Sequence, residues 1–442
     1  MRRFTISLGA ASVALLLALT GCAGATGGSE AASSTAAWTI PSTDPTATIQ
    51  VIGILDPVKE GMNAVLAAFE KDHPTIKVEY EYVAFNDLNS VLDSRMANKD
   101  GNPDVFWADQ PRTAALATRG FAADITPQFG PFKDKWDPAP YASSSYEDKL
   151  YGVPIANSTQ LLFYNKDLLD KAGIAHPSAD PSSRMTWEKL AADAKSAVDK
   201  GAANGLLFGQ FDRYYQLEPL SGSLGGSAGA TGDSNLTPDV TSDAWVKAMT
   251  WYGSIFADGA APKGVTAEQT DSLFLAGKAA YEVQGPWLLP NLAKSDINWG
   301  VAAQPMFAGG KAETPTGSWS LALSPYSDAK EAAAIFMRWM SVDGGGGYTL
   351  NRSDPELPAT PEAKKVYFAR DLFASEEGKK AASIIDFESS KTAVPRLSTV
   401  GYVEFEDIMG RAYSDIRNGA EAKATLETAT TELKTAWAQY GK

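Results

Sequence analysis

The chain has 442 residues, room for about three domains at roughly 150 residues each, and its 44% hydrophobic and 21% charged content excludes disorder throughout. With 39 basic against 53 acidic side chains the formal charge is -14, and no lysine or arginine block offsets it, so nucleic acid is not expected as a partner. One cysteine and two histidines, His73 and His176, exclude an internal disulfide and a His-rich zinc or copper site, and no cofactor or metal is expected.

At the start, Arg2 and Arg3 precede an apolar run, Ile6 to Leu19, that is too short to span a bilayer comfortably. Leu19-Thr20-Gly21-Cys22 closes that run with small residues before the single thiol. This arrangement resembles the lipobox of bacterial lipoproteins, which implies a signal peptide over 1–21 and acylation of Cys22. Residues 22–47 are rich in Ala, Gly, Ser and Thr with little apolar side chain to bury, the composition of a flexible tether. No later stretch holds 18 consecutive apolar residues, so the expectation is an extracytoplasmic chain held by lipid at the outer face of the cell membrane.

After the tether, strand and helix signals alternate. Ile49 to Leu55 reads as a buried strand, and Asp56-Pro57 offers an N-cap and first-turn proline for a helix with Met62, Val65, Leu66 and Phe69 at helical spacing. Ile76 to Val83 alternates as a second strand, a helix follows over about Asn86 to Ala97, and Pro103 to Trp107 begins a third strand. Strands separated by helices predict a parallel sheet with crossover connections. Further helices are expected over Trp187 to Lys200, Asp243 to Phe256, Tyr402 to Arg417 and Glu421 to Tyr440. Gly344 to Gly347 is a glycine run without a phosphate-loop pattern and reads as a loop.

The order of motifs then becomes recognisable. Phe69–Glu79 (FEKDHPTIKVE), Pro103–Asp109 (PDVFWAD), Tyr151–Ala156 (YGVPIA), Leu162–Leu169 (LFYNKDLL), Thr186–Leu190 (TWEKL), Gly285–Trp287 (GPW) and Asn298–Val301 (NWGV) occur in the sequence and spacing of the extracellular solute-binding proteins of ABC importers. The resemblance runs from about Thr48 to the C-terminus and is strongest to the carbohydrate-binding branch that includes maltose-binding proteins. It implies a two-lobed α/β periplasmic-binding fold of type II, with a hinge crossed near Asn157 to Gln160, Trp319 to Ala322 and Arg352 to Glu356. The lobes would be 48–157 plus 321–352 and 158–320 plus 353–442. A monomer that closes on a mono- or oligosaccharide and delivers it to the membrane permease would follow.

A pyranose has an apolar C–H face and a rim of hydroxyls, so its site needs flat aromatic surfaces beside carboxylates, amides and arginines. Trp107 and Trp287 match family positions that contact sugar, each with a core tryptophan as the competing reading. Trp319 beside the hinge and Tyr402 at a late helix start are further aromatic candidates, packing roles being equally open. Asp56 corresponds to a sugar-accepting acid or serves as a helix cap. Asp109 and Arg112 follow Trp107 where the family has an adjacent acid–arginine pair, but Gln110 and Pro111 intervene. Glu218 aligns with a contacting glutamate although Leu220 replaces the expected aromatic, and Ser158 stands where maltose binders have a glutamate. Three rivals remain: a polyamine or cation receptor, favoured by net acidity; a glycoside hydrolase using two of Asp56, Asp109 and Glu218; and an extracellular adhesion or scaffold lipoprotein, which would not require the collinear motifs. No hydrolase elbow, zinc-protease or kinase signature is present, so an enzyme is not expected.

Overall fold

A computed structural model describes residues 38–440. The expected signal peptide, Cys22 and the expected tether up to residue 37 lie outside the described residues. Among the described residues, no helix is long and apolar enough to cross a membrane.

The body from Thr39 onward is built on two sheets. The chain runs β1 (Ala47–Gly53), α1 (Met62–Asp72), β2 (Ile76–Tyr82), α2 (Leu88–Ala97), β3 (Val105–Asp109) and β4 (Val153–Pro154), then crosses to β5 (Leu161–Asn165). There follow α3 (Trp187–Asp199), β6 (Asn204–Phe208), α4 (Tyr214–Ser223), α5 (Asp243–Ala257), α6 (Ala267–Leu275), β7 (Ala279–Gln284) and β8 (Trp299–Ala303). β9 (Thr314–Thr316) leads back to β10 (Trp319–Leu323) and α7 (Lys330–Ser341), and the chain ends with α8 (Glu376–Phe387), β11 (Ala393–Pro395), α9 (Tyr402–Asn418) and α10 (Ala422–Trp437).

The first sheet has the order β2-β1-β3-β10-β4 and the second β8-β5-β7-β6. The parallel pairing with crossover connections expected from the first three strands is present, and the later strands do not continue it. β1 runs parallel to β2 and β3, but β10 is antiparallel to both its neighbours, and β5 is antiparallel to β7 and β8. β5 and β10 are the strands by which the chain arrives from the other sheet. Each enters from the end where the two sheets face one another, and so runs against the strands that arrive through crossover helices.

Two of the passages between the sheets lie side by side. Thr314 Oγ1 accepts the Gln160 N–H at 2.9 Å, and Thr316 Oγ1 donates to Asn157 Oδ1 at 2.5 Å. β9 also pairs in parallel with β11, making a short ladder outside both main sheets. Trp319 to Ala322, expected as a crossing, belongs to β10 in the first sheet, so the passage occupies Gly317 and Ser318 just before it.

Local signals fix the helix ends well. Thr186 accepts the Lys189 N–H and caps α3, whose first residue Trp187 is fully buried and stacks on Phe208. Asp56-Pro57 is different: Asp56 Oδ1 accepts the N–H groups of Val58 and Lys59, both at 2.9 Å, in a separate turn. Gly61, in the left-handed region at φ 76°, ends that turn before α1 begins at Met62. The glycine run is only partly a loop, since Gly344, Gly345 and Gly346 take positive φ and Gly347 opens a short helix to Asn351. In the first half, α7 buries Ile335, Phe336 and Trp339 over the sheet, where each large apolar side chain contributes about 1.5–3 kcal/mol. α9 and α10 pack on each other and on α5 in the second half.

Candidate functional site

Where the two sheets face one another there is a cavity of about 450 Å³. The first half contributes Leu55, Glu60, Phe85, Asp109 and Trp319, and the second Gln210, Arg213, Tyr215, Asp271 and Trp287. Ser158, Gly317, Ser318 and Arg396 line it beside the passages between the sheets.

The aromatic walls face each other in unlike ways. Trp319 meets Phe85 edge-on at 5.8 Å, while Trp287 lies 6.4 Å from Tyr215 with the planes tilted by 39°. Phe85 is 41% exposed, high for its size, and presents its ring to Arg213, whose guanidinium sits 4.6 Å from the ring centroid. The same arginine donates to Asn86 Oδ1 at 2.6 Å, linking the helix α4 start to the loop after β2. Arg112 donates to Glu406 Oε2 at 2.6 Å, a second link from the first half to α9. Arg352 donates to the Tyr348 hydroxyl, Glu356 and the Glu60 carbonyl, fixing a polar corner of the cavity.

Of the residues singled out in the sequence, Asp109, Ser158, Trp287 and Trp319 line this cavity. Asp109 is buried and bound by Arg396, and Ser158 donates its hydroxyl to the Gly317 carbonyl at 2.5 Å. Asp56 lies just outside. The N–H groups of Lys59 and Val58 hold its carboxyl below the ordinary range, while its neighbours Leu55, Lys59 and Glu60 form the wall. Arg112 is likewise displaced to the rim through its pairing with Glu406.

Three candidates sit elsewhere. Trp107 is fully buried in β3, edge-on to Tyr80 at 6.0 Å and to Tyr348 at 6.4 Å, so its ring packs within the first half instead of stacking in the cavity. All five residues of β3 are buried, and without alternation the sequence does not show which face a side chain takes. Tyr402 is fully buried against Tyr214 and Phe405. Glu218 lies inside α4, every residue of which is buried. Burial, then the nearby Glu313 carboxylate, pushes it up to about 8.

Sequence reasoning did not find Arg396, Arg213, Tyr215, Phe85 or Asp271. They come from four separate segments with no shared motif, Arg213 and Tyr215 both lying at the start of α4, and only the fold brings them together.

Residues 56–346 match the model of a family described as bacterial extracellular solute-binding protein. The chain is 26% identical over 394 residues to the maltodextrin-binding protein MdxE of Bacillus subtilis, covering 87% of this chain and 88% of that one. It is similar in structure, with a TM-score of 0.77 and 24% identity, to an ABC substrate-binding protein of Listeria monocytogenes in complex with cycloalternan, over 89% of this chain and 100% of the other. The GacH receptor of Streptomyces glaucescens, solved unliganded and with acarbose, is similar with a TM-score of 0.73 at 24% identity, over 90% and 98% of the two chains. At that identity the likeness establishes the fold, the two-lobed α/β architecture expected from the motifs.

Proposed function

The chain belongs to the bacterial extracellular solute-binding proteins, and we propose that within that family it captures a mono- or oligosaccharide outside the cell and delivers it to an ABC permease. The observation that carries this reading is the pairing, around one cavity of about 450 Å³, of the aromatic rings of Phe85, Tyr215, Trp287 and Trp319 with Asp109, Asp271, Arg213 and Arg396. Rings cover the C–H face of a pyranose while carboxylates and guanidinium groups meet its hydroxyls. The volume falls within the roughly 300–1,000 Å³ of small-molecule sites. Relatives described as binding maltodextrin, cycloalternan and acarbose support the same ligand class.

We place one lobe on the first sheet and the other on the second, with the passages at 157–160, 317–318 and from 352 onward as the hinge. A ligand touching both walls favours the closed form by the difference in its affinity for the two forms. Cys22 carries the lipid that anchors the receptor, which acts as a monomer. Both oxygens of Asp109 are engaged by Arg396, and Glu218 is buried and does not line the cavity, so the reading is binding without hydrolysis.

A thermal melt of the chain from residue 23 onward, across maltose, maltotriose, trehalose, xylo- and cello-oligosaccharides, polyamines and divalent cations, tests the proposal. A bound ligand raises stability by RT ln(1 + [L]/Kd). A shift of several degrees with one sugar supports it; shifts with polyamines or cations alone overturn it.

A further inference from the structure

Glu282 is a carboxyl with no visible reason to be where it is. It sits in the middle of β7, between Phe163 of β5 and Leu207 of β6, and is fully buried. Neither of its oxygens receives a hydrogen bond from an N–H or hydroxyl group. Its polar neighbours are Thr270 and Asp271 of α6. Thr270 gives its hydroxyl proton to the Ala267 carbonyl at 2.9 Å, which leaves Asp271.

An ionised carboxylate buried without a donor is prohibitively costly, so the group stays neutral, and a neutral carboxyl is itself a donor. Burial, reinforced by the Asp271 charge, pushes Glu282 well above the ordinary carboxylate range. The other nearby acids are engaged elsewhere. Glu268, on the same helix, is turned to Thr266, Arg213 and Asn86, and Asp193 of α3 acts on Tyr281, on the opposite face of the strand.

Asp271 lines the cavity. Gln284 donates its Nε2 to Asp271 Oδ1 at 2.7 Å, and the Gly285 N–H donates to Gln284 Oε1 at 3.0 Å, which settles the orientation of that amide. A Cβ at Gly209 would stand 2.0 Å from Gln284 Nε2, so a glycine there is what lets the amide through. Gly285 in turn opens the segment that carries Trp287. One rigid strand end therefore sets both an aromatic ring and a carboxylate at the cavity wall.

We infer that Glu282 holds a proton which it donates to Asp271, fixing Asp271 as the acceptor for a ligand hydroxyl beside Trp287. The inference rests on the carbohydrate reading for the identity of that hydroxyl, and on the Glu282–Asp271 contact for the rest. Glu282 is a positioning residue and Asp271 the one that touches ligand. Raising the pH until the shared proton is lost leaves two facing carboxylates, which repel and spoil the acceptor.

Two arms test it. Without ligand, wild type and Glu282→Gln are melted between pH 6 and 10. The stability that the shared proton contributes is present at low pH and lost as pH rises through the raised folded value, so wild type falls away from Glu282→Gln as pH rises. Parallel curves would overturn the shared proton. With maltotriose as probe in titration calorimetry at pH 6.5, Glu282→Leu and Asp271→Asn weaken binding roughly ten- to hundredfold. Glu282→Gln, whose amide supplies the same donor, recovers most of the affinity lost in Glu282→Leu, and at pH 9 it binds more tightly than wild type. Unchanged affinity in Glu282→Leu, or the same pH profile in wild type and Glu282→Gln, would overturn the positioning role. If no sugar binds wild type, the carbohydrate reading fails, and the ligand-free melt still decides the shared proton.

Discussion

Arg396 grips Asp109 with both guanidinium nitrogens, Nη1 to Oδ2 at 3.1 Å and Nη2 to Oδ1 at 2.5 Å, and so ties the residue after β11 to the carboxyl end of β3. Both side chains are at least nine-tenths buried, so breaking the pair from one side strands a charge. Asp109→Leu is expected to cost about 3–5 kcal/mol, whereas the double change Asp109→Leu with Arg396→Met loses far less because no charge remains unpaired. Urea unfolding of the singles and the double reads this directly. A double variant as unstable as Asp109→Leu alone would show that the cost lies in packing and not in the orphaned guanidinium.

The tryptophans separate into two kinds. Trp287→Ala and Trp319→Ala remove partly exposed rings at the cavity and are expected to weaken sugar binding at least tenfold, with melting temperatures close to wild type. Trp107→Ala opens a void between Tyr80 and Tyr348 and is expected to cost about 3–5 kcal/mol of stability. Trp107→Phe keeps most of the packing and should bind sugar like wild type. Calorimetric titration beside denaturant unfolding distinguishes the two classes, and a Trp107→Phe variant that folds well but loses the ligand would return Trp107 to the binding surface.

The cross-cavity contacts of Arg213 and Arg112 bear on opening. Arg213 lies over Phe85 and donates to Asn86, and Arg112 pairs with Glu406. Replacing both arginines by methionine removes the charged links between the halves while each replaced pair, being partly exposed, contributes only about 1 kcal/mol or less to stability. The ligand-free double variant is expected to show a larger radius of gyration than wild type by small-angle X-ray scattering. Identical scattering would mean that these contacts do not hold the halves together.

How far the sequence could be read follows from the range of the forces involved. α3, α5 and α9 begin where they were expected because caps and apolar periodicity act within a few residues, as Thr186 does for Trp187. The directions of β5 and β10 were not legible, since they depend on where the chain re-enters a sheet more than 100 residues away. Asp109 and Trp287 were singled out through family motifs, Ser158 as a departure from the family pattern and Trp319 from its place beside the expected hinge, and all four line the cavity. Trp107 came from the same motifs and packs inward, because a strand buried on both faces carries no parity signal. Arg396 and Asp271 have no local pattern at all, and their role arises from partners at Asp109 and Glu282.

Glu218 gives a test of the electrostatics that needs no ligand. Its carboxyl is pushed up to about 8 by burial and by Glu313, against an ordinary value of 4.5. A raised folded value means that the protonated form is favoured in the native state. The associated stability is complete below the unfolded value and disappears as pH rises through about 8. The difference corresponds to a few kcal/mol, at about 1.4 kcal/mol per unit. Glu218→Gln keeps the shape and removes the charge, so it is expected to melt near wild type at pH 5 and several degrees higher at pH 9. The Glu282 pair drives wild type in the same direction, and Glu218→Gln therefore flattens only part of the pH profile. Adding Glu282→Gln should flatten most of the remainder. A Glu218→Gln variant that gains nothing at pH 9 would mean that Glu218 finds its charge compensated, with Lys311 beside Glu313 the nearest cation to do so.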